Sequence, residues 1–162
     1  MKYALTGHTE GIGLGLYQRL GESTLGFSRR NGYDIKIKED RKRIINETRD
    51  CDVFINNATD EFGQVLMLID LFKEWKDLNK TIINVGSRIS EIKLPEDRLE
   101  LLEYQAEKLV LKQMVDQLQG YTCQVNYKWF AYVGTEKMLT KYPHFTSNDY
   151  ITVEQSIDII LS

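Results

Sequence analysis

The chain has 162 residues, 42% hydrophobic and 28% charged, a balance that supports one domain with a real core and excludes a disordered polymer. Its formal net charge is −3, which leaves no basic surplus for a nucleic-acid backbone. Cys51 and Cys123 lie far apart with no metal-ligand spacing, so they read as core residues of a reduced, cytoplasmic protein, and no metal site is expected. No apolar run approaches a membrane span and the N-terminus leads directly into structure, so neither a membrane nor a signal peptide is expected.

Short apolar runs alternate with longer helical patterns. KYALTG (2–7) reads as a first strand, and IGLGLYQRLG (12–21) as a helix stopped by Gly21. TLGFS (24–28) and YDIKI (33–37) read as the second and third strands, and EDRKRIINETRD (39–50) as a polar helix. DVFINN (52–57) is the fourth strand; Val65, Leu68, Phe72 and Trp75 then mark the buried stripe of a helix. TIINVGS (81–87) is the fifth strand. A long helix follows, with Pro95 suited to its first turn and Gly120 to its end. YTCQVNY (121–127) is the sixth strand, 134–151 reads as loop, and Thr152 and Gln155 have capping-box spacing at the start of a last helix. Trp75 and Trp129 read as packing residues.

This alternation implies a mostly parallel, doubly wound sheet with helices on both faces, in a single unit spanning 1–162. Ligands of such sheets bind beyond the carboxyl ends of the strands. There the sequence TGHTEGIG (6–13) joins the first strand to the first helix, with glycines at 7, 11 and 13. A tight turn without Cβ atoms brings backbone N–H groups at a helix N-terminus to a pyrophosphate. A glycine-rich turn with no ligand is the alternative.

The spacing G-x-x-x-G-x-G after Thr6 resembles the short-chain dehydrogenase/reductase family. So do Asn56-Asn57-Ala58, Ser87 at the end of TIINVGS, the Y-x-x-x-K pair Tyr104 and Lys108, and Val133 with Thr135 in FAYVGTEKM. The ordered set spans most of the chain. The resemblance implies a Rossmann-type α/β fold of about six strands ordered 3-2-1-4-5-6, without the family's seventh strand and with a shortened substrate-covering segment. It also implies that Gly7, His8, Thr9, Glu10, Gly11, Ile12 and Gly13 cradle the cofactor phosphates, although His8 as a solvated turn residue is an equal alternative. Asp34 and Ile35 would edge the adenine, Asn57 and Ala58 would floor the adenosine ribose, and Val133 and Thr135 would sit on the nicotinamide side.

Where an NAD site places an acid on the ribose hydroxyls, this sequence has Ser28, Arg29 and Arg30. A guanidinium fork suits a 2′-phosphate, so NADP(H) is expected ahead of NAD(H). Two solvated turn arginines are the alternative, and Glu10 stands against the NADP assignment, because NADP-using relatives often carry a basic residue there.

Carbonyl reduction needs a proton at the developing alkoxide. A free phenol, with a pKa near 10, is poorly matched to that task at neutral pH. By resemblance Tyr104 is the general acid/base. Lys108 lowers its pKa and holds the nicotinamide ribose, and Ser87 orients the substrate oxygen. A solvated i,i+4 helix pair is the alternative for Tyr104 and Lys108. The family often adds an asparagine on the helix before strand five, where Gln64 is the nearest amide; Thr59 replaces the glycine that follows Asn-Asn-Ala, and Phe130-Ala131 replace Pro-Gly.

The expected protein is a cytoplasmic NADP(H)-dependent oxidoreductase interconverting a small-molecule carbonyl and its alcohol. Leu101, Leu109 and Met114 on the long helix fit a homodimer or homotetramer. Two rivals stand beside it: a sugar-nucleotide reductase or epimerase-like enzyme, and a cofactor-binding regulator or scaffold without turnover.

Overall fold

Alternation along the strands decides the layering, because successive side chains of a strand face opposite sides of the sheet. In the computed structural model, which describes residues 1–162, β1 (Tyr3–Thr6) sends Ala4 to one core and Leu5 to the other. β3 (Val53–Asn56) divides in the same way, Phe54 to the first core and Val53 and Ile55 to the second. All four residues of β3 are buried, as expected of a strand covered on both faces.

The first core is completed by α2 (Lys38–Glu47), α3 (Gly63–Trp75) and α4 (Leu102–Gln117), through Ile44, Leu68, Phe72, Leu111 and Val115 among others. The second is closed by α1 (Gly11–Leu20) and α6 (Val153–Leu161), through Leu16, Ile157 and Ile160. With β2 (Leu25–Phe27), β4 (Thr81–Val85) and β5 (Gln124–Lys128), the sheet is fully parallel and ordered β2-β1-β3-β4-β5. This is the expected Rossmann-type doubly wound sheet with one strand fewer. No helix is long and apolar enough to cross a membrane.

The missing strand is 33–37. Asp34 accepts a bond from the Lys36 N–H at 2.9 Å and folds the backbone into a turn. The Ile35 and Lys36 carbonyls, which a sheet would need, accept bonds from the buried Arg41 guanidinium at 2.8 and 2.9 Å. Arg41 in turn pairs with Asp70 of α3 at 2.8 Å. A distant side chain therefore takes the carbonyls that the apolar pattern had assigned to a ladder.

Three further expectations change. The long helix begins at Leu102, not near Pro95; a 3-10 turn, Glu96–Leu101, precedes it, and Arg98 inside that turn leaves helical geometry. The segment read as loop holds α5 (Glu136–Lys141), capped by the Thr135 hydroxyl, which accepts from the Met138 N–H at 3.2 Å. None of its residues is buried, so it carries no hydrophobic period to be read. Trp75 packs edge-on against Phe54, but Trp129 is 45% exposed. Cys51 and Cys123 are buried free thiols, and burial pushes the Cys123 thiol up to about 11.

Candidate active site

The glycine loop connects β1 to α1, and its spacing is a packing requirement. A Cβ at Gly13 would stand 1.9 Å from the Gly7 carbonyl oxygen, and Gly7 itself has φ +74°. The N-cap of α1, Glu10, makes no side-chain cap bond, while the Leu14 N–H bonds back to the Glu10 carbonyl. The N–H groups of Gly11, Ile12 and Gly13 precede the first intrahelical bond and are available to an anion.

β3 is tied to this loop by the Thr6 hydroxyl, which accepts from the Asn57 and Ala58 N–H groups at 3.0 and 3.1 Å. The Asn57 amide also donates to the Thr6 carbonyl at 3.1 Å. Asn56 points the other way, donating to Asn84 of β4 at 2.9 Å and to the Gln64 carbonyl at 2.8 Å. The paired asparagines therefore couple three strands at their carboxyl ends.

Two cavities open there. One of about 290 Å³ is lined by Gly7, Thr9, Glu10, Ser28, Arg29, Arg30, Asp34, Ile35, Asn57 and Ala58. The other, about 870 Å³, takes in Ile12, Ser87, Tyr104, Lys108, Val133 and Thr135. Asn57 and Thr59 line both, so the two meet in one cleft across the switch point where strand order reverses. A cleft of two lobes with a phosphate-ready helix end beside it fits a dinucleotide.

His8 lies outside this cleft. Its ring packs on Tyr17 with centroids 5.0 Å apart and leaves no room for a Cβ at Gly26; the residue is half-buried, with Nδ1 buried and unpartnered. Arg29 is an exposed side chain paired with Asp60 at 3.3 Å, and Arg30 reaches the Thr9 carbonyl at 3.5 Å.

At the other lobe, Ser87 follows β4 and caps a short 3-10 turn, Arg88–Glu91, its hydroxyl accepting from the Ile89 N–H at 3.3 Å. Tyr127 of β5, not anticipated from the sequence, braces this corner. Its hydroxyl accepts from the Ser87 N–H at 3.4 Å and shares a 3.1 Å bond with Ser90. Gln105 of α4 donates to the Ile89 and Ile92 carbonyls at 2.9 and 2.7 Å, pinning the same turn to the helix that carries Tyr104.

Tyr104 is 37% exposed as a residue. Desolvation nevertheless pushes its phenol above the ordinary value, with the Ser87 hydroxyl partly opposing that rise. The expected lowering by Lys108 is not what dominates. The ammonium lies 5.4 Å from the centroid of the Tyr104 ring and is drawn to three other acceptors.

Those acceptors are Gln64 Oε1 at 2.5 Å, Thr59 Oγ1 at 2.7 Å and the Val85 carbonyl at 3.2 Å. An ammonium has three donors, so Lys108 is saturated. Gln64 is itself fully buried and donates to the Asn56 and Val85 carbonyls at 2.6 and 2.9 Å. Burial brings Lys108 down to about 8, opposed by the neighbouring Glu107 carboxylate. Glu107 is buried too, with Oε1 unpartnered, and desolvation holds its carboxyl above the usual range. Thr59 and Gln64 thus belong to the lysine's surroundings. The available signals were a threonine where the family has glycine and an amide on the preceding helix.

No family model and no curated protein matches the chain. Among solved structures, a short-chain dehydrogenase from Burkholderia cenocepacia J2315 in complex with NADP is similar over 99% of this chain and 84% of that one, with TM-score 0.79 and 19% identity. The chain has the short-chain dehydrogenase/reductase fold. A serine dehydrogenase complexed with NADP+ superimposes over 99% of this chain and 88% of that one, with TM-score 0.75 and 17% identity. A short-chain dehydrogenase/reductase from Burkholderia phymatum in complex with NAD covers 83% of this chain and 66% of that one, with TM-score 0.64 and 14% identity. At such identities the likeness is one of fold.

Proposed function

We propose that the chain is a cytoplasmic NADP(H)-dependent oxidoreductase that interconverts a small carbonyl compound and its alcohol. The observation that carries this reading is convergence: Ser87, Tyr104 and Lys108 line one cavity that is continuous with the glycine-loop lobe through Asn57 and Thr59. Bound NADPH would supply hydride. The glycine-loop N–H groups and Asn57 hold the dinucleotide, with Ala58, Asp34 and Ile35 around its adenosine half. Ser87 donates a hydrogen bond to the substrate oxygen and sets its position. Tyr104 delivers the proton to that oxygen, and its phenol is protonated at neutral pH, as reduction requires. The charge of Lys108 beside the Tyr104 ring stabilises phenolate as it forms.

Arg29 and Arg30 support NADP over NAD, and the relatives crystallised with NADP agree in kind. The test is fluorescence titration of NADPH and NADH, followed by NADPH oxidation over a panel of carbonyl compounds. Arg30→Ala should weaken NADPH about 10-fold or more and leave NADH unaffected, the scale of one charge-assisted hydrogen bond. Tighter binding of NADH than NADPH by the unaltered protein would overturn the cofactor preference. Cofactor binding with no turnover of any compound would overturn the redox reading.

That second outcome has its own physical basis. With every Lys108 donor already committed, the protein is also built to hold the lysine without a ribose partner, which favours a cofactor-binding regulator as the alternative.

Association between copies fits the exposed apolar residues Leu66 on α3 and Leu102, Leu109 and Val110 on α4. Sedimentation equilibrium should give a dimer or tetramer, and Leu109→Glu should shift it toward monomer. A monomer at micromolar concentration in the unaltered protein would refute this.

A further inference from the structure

The larger cavity has a charge pattern that proton transfer does not use. Apart from Lys108, its ionisable lining consists of Arg88, Arg98 and Asp149 besides the Tyr104 and other phenols. Asp149 is spent on its own loop, accepting from the Thr146 N–H at 2.7 Å and the Thr146 hydroxyl at 2.9 Å. Those bonds hold its carboxyl below the usual range, so it is a single negative charge in the lining, and it pairs with neither Arg88 nor Arg98.

Arg88 is the residue immediately after Ser87. It is exposed, lines the cavity, and makes neither an ion pair nor a side-chain hydrogen bond. Arg98 is held more firmly. It donates to the Tyr142 hydroxyl at 3.2 Å, and its guanidinium lies 5.9 Å from the centroid of the same ring. Its only carboxylate partner is Glu100 at 3.3 Å, a contact with one side chain 63% exposed and therefore of little energetic weight. A guanidinium has five N–H donors, and donors remain beyond those directed at Glu100, Tyr142 and the neighbouring Tyr132. The lining also carries the apolar side chains of Ile89, Ile92, Leu94 and Leu101. The cavity thus combines a proton donor, two arginines with spare planar donors and an aliphatic wall.

On the redox reading above, we propose that the substrate is anionic: a small oxo acid or hydroxy acid, or a phosphorylated counterpart, whose anionic group is bound by Arg88 and Arg98 while its carbonyl or hydroxyl oxygen lies between Ser87 and Tyr104. Guanidinium groups recognise carboxylate and phosphate by paired, charge-assisted hydrogen bonds. The aliphatic wall receives the intervening carbons. Ser87, Tyr104, Arg88 and Arg98 all line this one cavity, so the anion and the reacting oxygen are held within a single compartment of about 870 Å³, which suits a small compound. Reduction is balanced within the proposed activity: hydride from NADPH forms the new C–H bond, Tyr104 gives its proton to oxygen, and the anionic group is unchanged.

The experiment compares short oxo acids, their methyl esters and phosphorylated carbonyl compounds as NADPH-dependent substrates of the unaltered protein and of Arg88→Gln and Arg98→Gln. NADPH dissociation constants are measured in parallel. The acids or the phosphorylated compounds should exceed the esters in kcat/KM, and the anion-to-ester ratio should fall about 10- to 100-fold in each variant. Whichever anionic series is preferred identifies the source of the charge. An ester preferred over its acid overturns the proposal and leaves the redox reading intact. So does an equal loss for both compounds in Arg88→Gln. A loss of NADPH affinity matching the loss of activity also overturns it, because the arginines would then serve the cofactor. If nothing is turned over, an Arg88-dependent change in bound-NADPH fluorescence on adding oxo acids keeps the anion site and overturns the redox reading. Absence of both signals overturns both.

Discussion

Tyr104→Phe is expected to lower kcat by about 10²- to 10⁴-fold, the range for removing a positioned general acid/base. The ring and its burial survive the change; only the hydroxyl is lost. The Ser87 hydroxyl and the cofactor lobe are untouched, so NADPH affinity and thermal stability should stay close to those of the unaltered protein. A loss confined to kcat and kcat/KM in equal measure would mark an interaction made in the transition state. Single-turnover reduction with saturating NADPH is the measurement. Retention of a tenth or more of the unaltered rate would assign the proton to another group and leave Tyr104 as a wall of the cavity.

The second large effect is expected at Gln64, which lines neither cavity. Gln64→Leu removes two donated bonds inside the core and one acceptor from a buried ammonium. The Asn56 and Val85 carbonyls and the Lys108 ammonium are left short of partners, at a combined cost of about 3 kcal/mol. For a chain of this length that lowers Tm by roughly 6–12 °C, readable by calorimetry. Gln64→Glu separates stability from charge. It forfeits the donated bonds but gives the ammonium a carboxylate. Lys108 sits at about 8 because burial disfavours its charge, so reduction in the unaltered protein should decline as pH rises through about 8. In Gln64→Glu that alkaline limb should move upward, since an added negative charge favours the protonated lysine. An unmoved limb would show that Lys108 does not govern it.

The same network explains why parts of the fold could be read in advance and others could not. β1, β3 and β4 are largely apolar runs, and their alternation with helices gave the parallel sheet, while their order followed from the family resemblance. The run 33–37, an alternation of apolar and charged residues, read as a strand and failed, because Arg41, paired with Asp70 on another helix, consumes its carbonyls. The start of α4 was misplaced because Arg98 leaves helical geometry inside the preceding turn, a departure with no proline or glycine at the break. α5 was missed because a helix with no buried face has no period.

At the site the division falls differently. The glycine spacing, the Asn-Asn-Ala strand end and the Tyr104–Lys108 interval are local features: each expresses a backbone or one-turn requirement that adjacent residues impose on one another, so all were visible in one dimension. The saturation of Lys108 by Gln64, Thr59 and Val85, the bracing of Ser87 by Tyr127, and the presence of Arg88 and Arg98 in one cavity lining join residues 10 to 49 positions apart. Identity and spacing along the chain specify which chemistry is available. Which donor meets which acceptor, and which charges are left without a partner, depends on distances and burial that exist only once the sheet has brought its carboxyl ends together.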